Sequence, residues 1–156
     1  MGFKWSKPKS RLKQLLLEDA HPCILRTGDL LLVATYDLDS FDLLWTHVAL
    51  VVSPTKIYSY GQIVSTAVFV KEYDCISVRQ LNCQRPVGFE KKFVDAVASS
   101  MAQSYRVVDE YKEGFEIGHV LYKMGFMPEI EELRPCHFSI SSEQINLDMY
   151  SKLLIL

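Results

Sequence analysis

The chain has no CxxC pair, no internal repeat, no low-complexity tract and no apolar run long enough to cross a membrane as a helix. Each absence removes a class of protein. Only 7 glycines and 6 prolines in 156 residues exclude collagen-like and linker-like chains. The 4 cysteines (Cys23, Cys75, Cys83 and Cys136) lack the spacing of a structural zinc site. No secretory signal is read at the start, so they are expected as reduced thiols in an intracellular, cytoplasmic compartment. Neither sign of charge dominates, with 17 Lys and Arg against 19 Asp and Glu. That balance argues against an extended basic groove for nucleic acid. What remains is 49% apolar, enough for a real core, and the length fits one globular domain.

The apolar residues fall into short runs followed by longer periodic ones. Residues 30–35, 47–52, 56–60, 63–69 and 75–81 read as strands bounded by turn signals, the last with one buried face. Residues 89–104 carry Phe93, Val94, Val97 and Met101 at helical spacing. Residues 117–124 read as a second helix, stopped by Gly125 and Pro128. Strands first and helices after predict an α+β fold, a small antiparallel β-sheet packed against helices. Residues 1–20 form a basic arm with a short amphipathic helix over 10–17, and residues 21–156 form the single domain.

One histidine stands out. Gly28-Asp29 opens the first strand, and Thr46-His47-Val48-Ala49-Leu50-Val51-Val52 opens the second. A histidine at the start of a buried strand is held by its neighbours while its ring faces a cleft, the placement that a general base requires. The competing reading is a core histidine hydrogen-bonded to backbone.

The order of these motifs resembles the circularly permuted NlpC-like, papain-like group. That group includes the bacterial YiiX-type hydrolases, the lecithin retinol acyltransferase relatives and a poxvirus branch. Gly28, Asp29, His47, Gly61, Arg79, Tyr105, Gly125 and Pro128 carry the likeness, and Arg134-Pro135-Cys136-His137-Phe138 is similar to the element that closes such domains. The resemblance spans roughly residues 28–142 and implies a permuted papain-like fold. It also implies a thiol nucleophile, a strand histidine as base and a polar residue orienting the imidazole.

Carried over residue by residue, only the base is present, as His47. The orienting residue is expected from the next strand, which offers Tyr58, Ser59 and Tyr60 where an acidic residue is usual. Ser59 can bond an imidazole but cannot stabilise an imidazolium as a carboxylate does. The thiol is expected at a helix start, where its pKa is lowered, and counting back from Gly125 puts that place at Glu113 or Gly114. No cysteine lies there. A papain-like mechanism without a thiolate has no covalent step. Cys136 is the alternative nucleophile, while Cys75 and Cys83 read as small core hydrophobes and Cys23 has no expected partner.

Other clusters are weighed the same way. His21, Cys23, Cys136 and His137 are ligand types without the usual zinc spacings, and His119 reads as a helix-face residue, so no metal and no cofactor are expected. Asp37, Asp39 and Asp42 lack the glycine and distal glutamate of a calcium loop. Tyr36, Phe41 and Trp45 are instead expected to line the cleft mouth beside His47, together with Glu113.

The arm has its own signature. Met1-Gly2-Phe3-Lys4-Trp5-Ser6 satisfies the N-myristoylation pattern with Gly2 as acceptor, and Lys4, Lys7, Lys9, Arg11 and Lys13 follow without an acidic residue. One acyl chain anchors weakly, and a basic patch supplies the second signal at an anionic membrane surface. This start is similar to the myristoylated Nef proteins of lentiviruses. The leading expectation is a non-catalytic, degenerate papain-like domain that binds an unidentified protein partner. It is expected to be peripherally membrane-associated, with a large DNA virus as origin and the virion as a further location. The alternatives are a thiol hydrolase or acyltransferase using His47 and Cys136, and a nucleic-acid binder using the basic arm.

Overall fold

The computed structural model describes residues 25–36, 39, 43–73, 75–103, 107, 109–127, 133–139, 150 and 154–155. Among them, β1 (Leu30–Tyr36), β2 (Leu43–Ser53), β3 (Lys56–Ser59), β4 (Gln62–Ser65), β5 (Ile76–Arg79) and β6 (Leu154–Ile155) form one sheet. Its order is β4-β3-β2-β1-β5-β6, and every pairing is antiparallel. Four helices accompany it: α1 (Thr66–Glu72), α2 (Phe89–Met101), α3 (Asp109–Lys123) and the single-turn α4 (Pro135–Ser139). The fold is α+β. The arm with its expected helix over 10–17, and Tyr105 and Pro128, lie outside the described residues.

The two central strands are apolar without alternation because both faces of the sheet are covered. On one face Leu30, Leu32, Val48, Leu50 and Val52 pack against Phe93 and Val97 of α2, Ile117, Val120 and Leu121 of α3, and Phe138 of α4. On the other, Leu31, Val33, Ala49 and Val51 meet Phe69 and Val70 of α1. A strand buried on both sides reads as a continuous run. β5 follows the same rule: all four of its residues are buried, where one buried face was expected.

Three element boundaries near the site differ from the sequence reading. Residues 63–69 were expected as one strand, yet β4 stops at Ser65 and α1 begins. The side chain of Ser65 accepts the Val68 N–H at 3.2 Å, and the buried Thr66, Phe69 and Val70 lie three and four apart, which is helical spacing. β2 begins at Leu43, so His47 sits within the strand and not at its start. A bulge carries the strand past that point, since Val33 faces His47 but Ala34 faces Trp45, and the hydroxyl of the extra residue Thr46 donates to the Val33 carbonyl at 3.3 Å.

The third difference matters most for the site. α3 starts at Asp109, well before the expected 117, with Asp109 and Glu110 in its first turn where the helix dipole favours anions. Its front half is charged, with Asp109, Glu110, Lys112, Glu113 and Glu116, so apolar periodicity could not show it. Gly114 is there for contact: a β-carbon on it would stand 1.8 Å from the Leu133 carbonyl oxygen. The helix therefore presses directly on the chain leading into α4.

A buried polar knot ties the far end of the sheet. Asp29 accepts the Leu81 N–H at 2.9 Å and the Arg26 N–H at 3.0 Å, and it pairs with the Arg85 guanidinium at 3.3 Å. Nearby, the Tyr150 hydroxyl donates to the Gly28 carbonyl at 2.7 Å, just before β6 docks on β5.

Candidate functional site

β2 is longer than its neighbour, and the site sits where the neighbour stops. β3 pairs with β2 only from Leu50 onward, through Leu50 with Tyr58, Val51 with Ile57 and Ser53 with Lys56. The Val48 N–H points to the side that β3 leaves, and a side chain fills the gap. Glu113 of α3 accepts that N–H on Oε2 at 3.3 Å. Its Oε1 lies 3.2 Å from Nδ1 of His47. The carboxylate is 8% exposed and the imidazole 24%, so the ring is anchored from within and reachable from outside.

The arrangement fixes the imidazole chemically. A carboxylate on Nδ1 holds the proton there in the neutral ring and leaves Nε2 as the acceptor. The Tyr60 hydroxyl sits against the ring within hydrogen-bonding distance of both nitrogens, 2.8 Å from Nε2. The ring is also flanked by Tyr60 edge-on at 4.8 Å and by Tyr73 at 5.2 Å between centroids. Burial, then the charges of Glu72 and Glu113, push the Tyr73 phenol above its ordinary range.

Glu116, one turn along α3, makes the parallel contact on the hairpin. Its carboxylate accepts the Gly61 N–H and is 5% exposed. Burial, with Glu113's charge adding to it, raises its carboxyl above the ordinary glutamate value, while the Gly61 N–H and Lys112 pull the other way. Behind it the Tyr58 hydroxyl meets Ser100 Oγ at 2.8 Å, and Ser100 donates to the Glu116 carbonyl at 2.9 Å. Two glutamates three residues apart thus join α3 to both sides of the split between β2 and β3.

These groups open into a cleft of about 760 Å³. Trp45 and Cys136 line it with His47, Tyr60 and Glu113, as do Asp109, Glu110, Lys112 and Arg134 at the sides. Ser59 does not take the expected orienting role: it is buried in β3 away from the cleft lining, and Glu113 holds Nδ1 instead. A serine one residue before the hairpin tip faces opposite to Tyr60. Glu113 also lies inside α3 and not at its start, because the helix begins at Asp109.

The remaining expected residues fall elsewhere. Tyr36 pairs with Leu43 through its backbone, and its side chain, like Phe41, lies outside the described residues. So do Gly2, Lys4, Lys7, Lys9, Arg11, Lys13, His21 and Cys23. His137 accepts the Arg134 N–H at 2.9 Å and serves its own helix turn. His119 meets Ser99 Oγ at 3.1 Å between α3 and α2, and burial with Lys123 lowers its pKa. Cys75 and Cys83 are half-buried, less enclosed than core residues. Among the described residues no three His, Cys, Asp or Glu side chains group to hold a metal ion.

Comparison with known proteins finds no family model, no curated protein and no solved structure that matches this chain. Among the described residues no helix is long and apolar enough to cross a membrane.

Proposed function

We propose that this protein is a non-catalytic binding module, a permuted papain-like scaffold whose cleft at His47 takes a ligand without transforming it. One observation carries the reading. Glu113, the residue that the count back from Gly125 gives for a thiol, is a carboxylate, and both of its oxygens are engaged, by His47 and by the Val48 N–H. A carboxylate held in this way orients an imidazole but does not form the acyl intermediate on which thiol chemistry depends. The cleft keeps its volume and its aromatic wall at Trp45 and Tyr60, which are features of a ligand site. The basic arm supplies the membrane half of the proposal, with acylated Gly2 and the lysines after it acting together at an anionic surface.

Thiol-directed acyl probes test the central point. The folded full-length chain should show no labelling that depends on His47, while His47→Ala should alter ligand capture or stability alone. Selective labelling of Cys136, abolished by His47→Ala, would replace this reading with a cysteine hydrolase or acyltransferase, because the thiolate would then owe its reactivity to that imidazole.

A further inference from the structure

Among the described residues, Tyr60 is the one non-glycine residue with a positive φ, at 51°, and Gly61 follows at 70°. They form the two-residue tip of the β3–β4 hairpin, between Ser59 and Gln62. Turns of this kind favour Asn-Gly, since both central residues are left-handed, and a bulky aromatic at the first position is held there against its preference. Backbone outliers of this sort concentrate where a side chain must be aimed.

The tip is aimed at His47. Tyr60 is half-exposed, yet its hydroxyl lies on the imidazole edge. The tip also overhangs, because the ladder between β2 and β3 runs only from Leu50 to Ser53. Past Leu50, two links draw it to the body: the Tyr60 hydroxyl on His47, and the Gly61 N–H on the buried carboxylate of Glu116. The Glu116 carboxylate lies against the turn, since a β-carbon on Gly61 would stand in ordinary contact with Oε1 at 3.4 Å.

We propose that the Tyr60–Gly61 turn is a lid over the His47 imidazole, latched by Glu116, and that the cleft takes its ligand when the turn swings away. The hinge is the end of the β2–β3 ladder, and the moving part is the short β3–β4 hairpin tip. What the lid uncovers is Nε2, the one ring nitrogen that Glu113 does not hold. The lid serves the binding role proposed above, but its test needs no ligand, so failure of one leaves the other standing.

Two rates on the full-length chain read the lid directly: hydrogen exchange at the Gly61 amide, and modification of His47 by diethyl pyrocarbonate located by mass spectrometry. Glu116→Gln keeps the shape and an acceptor oxygen but loses the charge, so both rates should rise together by about fivefold, the gap between a charged and a neutral acceptor. Tyr60→Gly suits the left-handed turn and removes the cover. His47 should then react at the rate of an exposed histidine while Gly61 stays protected. A Glu116→Gln protein in which Gly61 exchange rises but His47 reactivity does not would overturn the lid. So would Tyr60→Gly leaving His47 as slow as before.

Discussion

Glu113 completes β2 at Val48, giving the strand the hydrogen bond that β3, ending at Ser59, does not reach back to supply. The same carboxylate holds the His47 ring, so strand edge and site share one group. Stability and site geometry are therefore coupled at a single side chain.

Glu113→Ala should leave the buried Val48 N–H without an acceptor and free the imidazole. A cost of about 2 kcal/mol is expected for the stranded group, read as a lower denaturant midpoint. Glu113→Gln, which keeps one acceptor, should cost about half as much. Equal stability for wild type and Glu113→Ala would show that the contact contributes nothing.

Gly114→Ala tests the contact between α3 and the segment before α4. With a β-carbon directed 1.8 Å from the Leu133 carbonyl, helix and segment must separate, although alanine favours the helix itself. Destabilisation of about 2 kcal/mol or more is expected, as in other overpacked sites. An unchanged or raised melting temperature would refute the close approach.

The pH dependence of stability should carry the mark of Glu116. Its carboxyl is held above the ordinary glutamate value, chiefly by burial, so the folded protein keeps this proton to higher pH than the unfolded chain. Its contribution is then fully present below the unfolded pKa and is lost as pH rises through the folded one. Glu116→Gln should flatten that decline in urea midpoints measured from about pH 4 to about pH 7. An unaltered slope would remove Glu116 from the account.

For the arm, Gly2→Ala should shift the protein from the membrane to the soluble fraction in cells with a myristoyltransferase. Replacing Lys4, Lys7 and Lys9 should weaken vesicle binding most at low salt, because surface charge is screened over roughly 8 Å at physiological ionic strength. Fractionation unaffected by Gly2→Ala would eliminate the acyl anchor.

How much of this was legible in the sequence differs by element. Strands β1 and β2 were readable from their unbroken apolar runs, and α2 from the spacing of Phe93 and Val97. α1 was hidden, because Val68, Phe69 and Val70 look like strand residues until Ser65 is recognised as a cap. His47 was legible as a candidate, but its true partner was not. Glu113 and Glu116 share a face only if α3 starts at Asp109, and that start carries no apolar signal. The tip itself carries a local signal, since Tyr-Gly between two short strands is an unfavoured version of a common hairpin turn.

The bond from Tyr150 to Gly28 spans 122 residues of chain. On a ribosome, β1 emerges long before the residues that pin its entrance, and β5 waits for β6 with one row of peptide groups open. Contacts of such long range slow folding, and an unfinished strand edge offers itself to other chains. Premature termination before Tyr150 would thus yield more than a shortened protein. It would leave most of the sheet assembled with β5 as a bare edge, a species suited to joining a neighbouring copy strand to strand.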